Sequence, residues 1–195
     1  HWVFAHNGTV KGARALKLGR FNPVGQTDSE RAFCHLLEAL RADFKNGPAE
    51  PHALWEAVAD VAGRIARLGT FNFVLGNGEH LFARCDTKLC YIVRQAPFGR
   101  ATLKDEDVSI DFSAVTTSRD RVAVVATAPL TVDEVWTHGV PASLWVFKRG
   151  RVVATLASGK PKPSTAAAAT RTHNESAPRA EHNTRSSPIE ADIVD

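Results

Sequence analysis

The sequence predicts an α+β fold built in layers, and three patterns indicate this. Apolar residues recur at helical spacing between residues 28 and 68, where two amphipathic helices are expected. From Thr70 the apolar period changes to two, which is typical of strands with one face in a core. Turn dipeptides such as Asn77-Gly78 and Arg149-Gly150 separate successive strands. Helices followed by an antiparallel meander favour a sheet with helices packed on it over a helical bundle.

The first two elements are a strand and a helix. Residues 2–5 are mostly apolar and predict a short buried strand, ended by the turn signal Asn7-Gly8. Residues 28–44 predict a helix, because Leu and Phe recur at helical spacing after a capping box formed by Thr27 and Glu30.

The second helix and the strands follow in order. This helix begins near Pro51, which suits a first turn, and its apolar stripe reaches Leu68 before Gly69, the natural C-cap. The run 121–126 is strongly β-branched and is expected to be a central strand. The hairpin around Asn77-Gly78 is expected to have a type I′ turn. The predicted strands are 70–75, 80–85, 89–94, 108–112, 121–126, 144–148 and 151–156.

Composition excludes several classes of protein. The formal net charge of +3 over 195 residues is too small and too scattered to indicate nucleic-acid binding. No apolar run approaches the roughly 18–20 residues that a membrane span needs, so no membrane association is expected. The three cysteines cannot all pair with one another, which favours free thiols in a reducing cytoplasm. The histidines and cysteines lack metal-site spacing, so no metal or other cofactor is expected.

The sequence supports separate predictions for the two ends of the chain. Residues 1–157 are expected to form one domain, whereas residues 158–195 are rich in Ala, Ser, Thr and Pro and predict a disordered tail. The sequence contains no Met and opens inside a strand pattern. We therefore expect it to be a fragment that lacks an N-terminal part.

Three residues are candidates for chemistry. Asn7 and Gly8 follow a buried strand and supply a side-chain amide and an unhindered backbone N–H. These are the donor types that build an oxyanion hole for acyl transfer, although Asn-Gly after a strand also serves as a plain turn. Asp28 lies at a helix start, where it could cap the helix or hold a substrate ammonium group.

Four segments together resemble a known family. FAHNGTV, GQTDSERAFCHLLEAL, FNFVLGNGEHLFARC and VVATAPLTVDEVW occur in this order within residues 1–155. They are similar to segments of the class II glutamine amidotransferases, and in particular of the small stand-alone bacterial members. The resemblance implies the four-layer αββα sandwich of the N-terminal nucleophile hydrolases, here incomplete at the N-terminus.

The resemblance also implies an activity and roles for the three candidates. Such enzymes release ammonia from glutamine through a cysteinyl thioester, with the α-amino group of an N-terminal cysteine as the base. It implies that Asn7 and Gly8 form the oxyanion hole and that Asp28 holds the substrate's α-amino group. That cysteine precedes the HNG turn in the family and is not in this sequence, so we expect the chain to be inactive alone. Glutamine or another γ-glutamyl small molecule is the expected ligand.

Two alternatives remain open. The substrate could be a γ-glutamyl peptide or conjugate, which would make the protein a γ-glutamyl hydrolase. In a different class, the domain could be a non-catalytic sandwich that binds a ligand or partner. The sequence has no room for a synthase domain after Leu156, so an enzyme that uses the ammonia would have to be a separate protein.

Overall fold

Two helices pack on one face of a five-stranded antiparallel sheet, and a smaller sheet packs on the other face. The computed structural model describes residues 1–48, 50–104, 109–111 and 117–159. The helices are α1 (Asp28–Asp43) and α2 (Pro51–Ile65), and single 3₁₀ turns occupy Ala13–Ala15 and Ala66–Leu68. The strands are β1 (Val3–Asn7), β2 (Asn72–Gly76), β3 (Leu81–Cys85), β4 (Cys90–Gln95), β5 (Arg100–Thr102), β6 (Ser109–Asp111), β7 (Arg121–Ala126), β8 (Thr137–His138), β9 (Ser143–Lys148) and β10 (Arg151–Ala157).

The large sheet has the order β1-β2-β3-β9-β10, and every neighbouring pair is antiparallel. Alternation along β2, β3 and β9 sends one set of side chains toward the helices and the other toward the second sheet. The helix side is filled by fully buried side chains such as Leu36, Val58, Phe73, Phe82 and Leu144. Each such side chain contributes about 1.5–3 kcal/mol by leaving water. The prediction that both helical stripes face a sheet is confirmed.

The second sheet has the order β7-β4-β8 and covers the opposite face of the large sheet. Tyr91 on β4 lies edge-on to Trp145 and Phe147 of β9, with ring centroids 4.8 and 5.2 Å apart. Residues 121–126 form β7, but the prediction that this strand is central is wrong, since β7 lies at the edge and Val122 is 46% exposed. β-Branched residues fit any half-buried pleated surface, so their enrichment does not distinguish an edge from a centre.

The helix ends are confirmed in position but differ in chemistry. Thr27 Oγ1 accepts the N–H of Glu30 at 3.2 Å, which is the first half of the capping box. The Glu30 carboxylate accepts the N–H groups of Val24 and Gly25 instead of turning back to Thr27. At the other helix, Gly69 has φ 168°, an extended conformation, so the predicted C-cap is not the left-handed type.

The two predicted hairpin turns have different conformations. Arg149 and Gly150 both have positive φ, as a type I′ turn between β9 and β10 requires. Between β2 and β3, Gly76 pairs with Leu81, so the connection has four residues and φ is positive only at Gly78. The type I′ prediction there is wrong. Asn77 explains the difference, because its side-chain oxygen accepts the N–H groups of Glu79 and His80 and closes the wider loop.

His80 lies buried behind that loop, 4% exposed, with its ring against Trp55 and Phe82. Within the described residues, neither ring nitrogen has a hydrogen-bond partner. Burial lowers the pKa of His80 below its ordinary value, and the neighbouring Glu79 carboxylate partly offsets this. The folded protein therefore favours the neutral ring.

A buried arginine joins the sheet to the end of β10. The Arg84 guanidinium is 1% exposed and donates to the carbonyls of Phe71 and Ser158 at 2.9 Å and to Ser158 Oγ at 3.0 Å. Its Nη1 lies 3.4 Å from the Asp86 carboxylate. Ser158 in turn donates to the carbonyl of Ala59 on α2 at 2.7 Å. This network anchors the backbone of Phe71, the residue before β2.

The chain beyond β10 is described as far as Gly159. Ser158, the first residue of the predicted tail, is fully buried, and residues 160–195 of that tail lie outside the described residues. The strand predicted over 108–112 is described for Ser109–Asp111, where it pairs with β5. None of the helices in the described segments is long and apolar enough to cross a membrane.

Candidate active site

The HNG turn lies where two antiparallel backbone segments are in close contact. Asn7 is the last residue of β1, and Gly8 follows it with φ +151°, a conformation that favours glycine. A Cβ on Gly8 would lie 2.2 Å from the carbonyl oxygen of Thr70. A Cβ on Gly69 would lie 2.1 Å from the carbonyl oxygen of Thr9, and the Thr70 N–H donates to that oxygen at 2.9 Å. The two glycines, one on each segment, therefore permit this close contact.

Asn7 and Gly8 border one open cavity and leave their donors available. The cavity has a volume of about 490 Å³ and is lined by Asn7, Gly8, Thr9, Lys11, Gly69 and Thr70. Among the described residues, neither the Asn7 side-chain amide nor the Gly8 N–H donates a hydrogen bond to the protein. Two unused donors on adjacent residues at a cavity wall can bind a carbonyl oxygen that acquires negative charge.

His6 ties this turn to the start of α1. Its Nε2 lies 3.0 Å from the carbonyl oxygen of Thr70, and its Nδ1 lies 2.7 Å from Ser29 Oγ. Because a carbonyl can only accept, Nε2 carries the proton, and Nδ1 accepts from the Ser29 hydroxyl in the neutral ring. The side chain thus fixes β1 against both the segment that contains Thr70 and the helix.

Asp28 lies beside the same loop. Its Oδ2 accepts the N–H of Val10 at 2.6 Å, two residues after Gly8, and its Oδ1 accepts the N–H of Ser29 at 2.9 Å. It is the first residue of α1, where the helix dipole stabilises a carboxylate. The fold therefore brings all three predicted residues to one loop, although Asp28 does not line the cavity that Asn7 and Gly8 share.

A second, smaller cleft opens between the two sheets beside Asn7. Its volume is about 180 Å³, and apolar side chains such as Ala5, Val74, Leu89 and Val125 line most of it. Asn72 lines it as well and is 4% exposed. Sequence reasoning missed Asn72, but a signal was present: it is the one polar residue in the apolar strand run FNFVL.

The three cysteines are poor candidates for a nucleophile. Cys34 is 8% exposed, and Cys85 and Cys90 are fully buried. Burial raises the pKa of all three thiols above the ordinary value, so the reactive thiolate is disfavoured. None of them lines the cavity that Asn7 and Gly8 border.

Comparison with known proteins supplies the family. The sequence profile described as "Glutamine amidotransferases class-II" matches residues 1–171. The chain belongs to the class II glutamine amidotransferases. The resemblance stated from the four sequence segments is thereby confirmed.

Individual members of the family agree with this. A protein of Escherichia coli K12 named "Putative glutamine amidotransferase YafJ" is 44% identical over 153 residues, which are 78% of this chain and 60% of that protein. A Haemophilus influenzae protein named "Putative glutamine amidotransferase" is 42% identical over 162 residues, which are 83% of this chain and 54% of that protein. The chain thus spans little more than half the length of these relatives.

Two solved structures support the fold. A crystal structure of a "predicted glutamine amidotransferase" from Pseudomonas aeruginosa superposes with a TM-score of 0.64 at 40% identity, over 78% of this chain and 60% of that one. A class-II domain protein from Silicibacter pomeroyi gives a TM-score of 0.51 at 20% identity, over 82% of this chain and 68% of that one, and supports the fold alone. The mixed helix and sheet architecture is common to these structures.

Proposed function

We propose that the protein containing this chain hydrolyses the side-chain amide of glutamine and releases ammonia. The observation that carries the proposal is the pair of unused donors, the Asn7 amide and the Gly8 N–H, on one open cavity in a class II glutamine amidotransferase. In this reaction a thiolate attacks the amide carbon, and the carbonyl oxygen becomes an oxyanion. The two donors would stabilise that oxyanion, and they would bind it more tightly than the neutral carbonyl.

The rest of the reaction follows from the tetrahedral intermediate. Its collapse breaks the C–N bond, and the nitrogen leaves as ammonia after taking a proton. The remaining thioester is hydrolysed by water to glutamate and the free thiol. We infer that the nucleophile is a cysteine outside these 195 residues, because the buried thiols of Cys34, Cys85 and Cys90 do not reach the cavity. Its own α-amino group would act as the base, and this chain alone would be inactive.

Asp28 is the proposed partner of the substrate's α-amino group. Each of its carboxylate oxygens accepts one backbone N–H and retains capacity for a second donor. The bonds to Val10 and Ser29 would hold the carboxylate in place beside the oxyanion donors, so a bound substrate would meet a fixed charge.

The proposal also covers the fold of the enzyme, its cellular compartment and its ligand. The described layers, helices then sheet then sheet, would be three of the four layers of an αββα sandwich of the N-terminal nucleophile hydrolases. The three unpaired cysteines favour a reducing cytoplasm. The ligand would be glutamine or another γ-glutamyl small molecule.

The test is a glutaminase assay on the full-length protein. Replacing Asn7 by Ala removes one oxyanion donor, so we expect kcat to fall by roughly 100- to 1000-fold with KM close to the wild-type value. Ammonia and glutamate are measured over a range of glutamine concentrations. Asn46→Ala is the matched control, since Asn46 also precedes a glycine but lies exposed in the loop between the helices.

Three outcomes would contradict the proposal in different ways. An unchanged kcat in Asn7→Ala would remove the oxyanion role. Activity on γ-glutamyl peptides or conjugates without activity on glutamine would make the protein a γ-glutamyl hydrolase. No turnover of either substrate class by the full-length protein would favour a non-catalytic binding domain.

A further inference from the structure

Asn72 is a buried amide whose hydrogen-bonding capacity is fully used. Its Nδ2 donates to the carbonyl oxygen of Asn7 at 3.1 Å and to Thr87 Oγ1 at 2.9 Å. Its Oδ1 accepts the N–H groups of Asp86 at 2.8 Å and of Thr87 at 2.9 Å. Two donors and two acceptor sites are all that a side-chain amide has.

These four partners determine which way the amide faces. With the oxygen and nitrogen exchanged, the amide nitrogen would face two N–H donors and the oxygen would face the carbonyl of Asn7. Only the observed orientation satisfies every partner, so the donor toward Asn7 is specified. The partners are themselves held, because the Asp86 carboxylate accepts the N–H of Phe71 at 3.0 Å and lies 3.4 Å from the Arg84 guanidinium.

The Asn7 carbonyl and the Gly8 N–H belong to one peptide unit. Among the described residues the one cis peptide is Ala96-Pro97, so the Asn7-Gly8 peptide is trans. In a planar trans peptide the C=O and the N–H point in opposite directions. A hydrogen bond that fixes the carbonyl on one side therefore fixes the direction of the N–H on the other side.

Gly8 needs such a constraint more than another residue would. Glycine has access to more backbone conformations than any other residue, and here it adopts a φ of +151°. Its N–H has no partner within the described part of the chain, so no bond of its own holds it. A hydrogen bond donated to the carbonyl also polarises the peptide, which makes the N–H on the opposite side a stronger hydrogen-bond donor.

We propose that Asn72 is a positioning residue that orients the Gly8 N–H toward the oxyanion through the shared Asn7-Gly8 peptide. The inference rests on the proposed glutaminase function, because it assumes that the Gly8 N–H stabilises an oxyanion. Asn72 itself does not touch the substrate. Because the oriented N–H binds the oxyanion of the transition state, removing the Asn72 amide lowers kcat and leaves KM close to the wild-type value.

The first test is kinetic and uses the full-length protein. Asn72→Asp keeps the size of the side chain and the oxygen that accepts from Asp86 and Thr87, but turns a second oxygen toward the Asn7 carbonyl. We expect kcat to fall by about 100-fold, the cost of about 1 Å of misplacement at a catalytic group. Asn72→Ala removes the same donor without adding charge and serves where Asn72→Asp fails to fold.

Thr87→Val is the matched control for local damage. It removes the hydroxyl that accepts the other Nδ2 proton, at the same cluster, but leaves the bond from Asn72 to Asn7. We expect it to lower stability while kcat stays near the wild-type value. Urea unfolding of each variant shows whether the two substitutions perturb folding to a similar extent.

The second test observes the peptide directly and needs no turnover. Asn-Gly pairs occur at residues 7–8, 46–47 and 77–78 of this chain. Labelling Asn with carbonyl ¹³C and Gly with ¹⁵N selects these peptides in an NMR spectrum, and Asn7→Ala assigns one signal by its loss. In Asn72→Asp or Asn72→Ala we expect the Asn7-Gly8 signal to shift, because its carbonyl loses a donor, while the other two stay in place.

The outcomes separate this inference from the proposed function. A folded Asn72 variant with wild-type kcat, or one whose loss is in KM alone, overturns the positioning role. An unshifted Asn7-Gly8 signal overturns it as well, whatever the kinetics. If Asn7→Ala leaves kcat unchanged while the Asn72 variants shift the signal, then the proposed oxyanion hole fails although the orientation of the peptide by Asn72 stands.

Discussion

Replacing Gly8 by Ala tests the close backbone contact on which the candidate site depends. The new Cβ would lie 2.2 Å from the Thr70 carbonyl oxygen and 2.8 Å from its carbon, so a backbone segment has to move. Forcing an extra methyl group into a packed site costs about 1–3 kcal/mol. An L residue at a φ of +151° costs about 1–3 kcal/mol more. We therefore expect a loss of about 2–6 kcal/mol in the free energy of unfolding.

Two other glycines separate these two costs. Gly78 has φ +88°, and no heavy atom lies within 4 Å of the position that a Cβ would take, so Gly78→Ala carries the conformational cost alone, about 1–2 kcal/mol. Gly99 has open space and no positive φ, so Gly99→Ala should lie within about 0.5 kcal/mol of the wild type. The order of stability should be Gly99→Ala, then Gly78→Ala, then Gly8→Ala.

Urea unfolding followed by circular dichroism measures all three variants. With a slope of about 2 kcal/mol per M, Gly8→Ala should lower the unfolding midpoint by about 1–3 M. A midpoint for Gly8→Ala equal to that of Gly78→Ala would refute the reasoning, because the contact with Thr70 would then cost nothing.

Two further predictions concern buried polar groups. His80→Phe should raise stability by about 1–3 kcal/mol, since it removes two buried ring nitrogens without partners in the described residues. It should also flatten the pH dependence of stability. Burial lowers the pKa of His80 in the folded protein, so below about pH 6.5, the pKa of an unfolded histidine, the unfolded state binds a proton that the folded state does not, and stability falls as the pH falls. Unfolding at pH 7.5 and 5.5 checks both, and an unchanged pH slope contradicts them. Arg84→Met should cost about 3–5 kcal/mol because it removes the buried cation 3.4 Å from Asp86 together with its hydrogen bonds to the carbonyls of Phe71 and Ser158, and a loss below about 1 kcal/mol by thermal unfolding would exclude that interpretation.

The sequence predicted the elements far better than their arrangement. The capping box and Pro51 located the first residue of both helices within about one residue, because capping is a local interaction between near neighbours. The edge position of β7 was not predictable, since strand order depends on partners far away in the chain. The type I′ prediction at Asn77-Gly78 was wrong for a more local reason. The side-chain oxygen of Asn77 accepts two backbone N–H groups and favours a four-residue connection.

For the candidate site, too, the residue types were predictable from the sequence and their spatial arrangement was not. The sequence by itself predicted the candidate residues, because Asn7, Gly8 and Asp28 are suited to these roles by type and by their places after a strand and at a helix start. Only the tertiary structure decided how they are held. Asn72 and Thr70 are 65 and 62 positions away from Asn7 and Gly8, and reach them because β1 pairs with β2 and two glycines let the backbones approach closely. A hydrogen bond requires its two atoms to lie about 3 Å apart in space. The sequence shows which residues are neighbours along the chain, but only the fold decides which distant residues come within that distance.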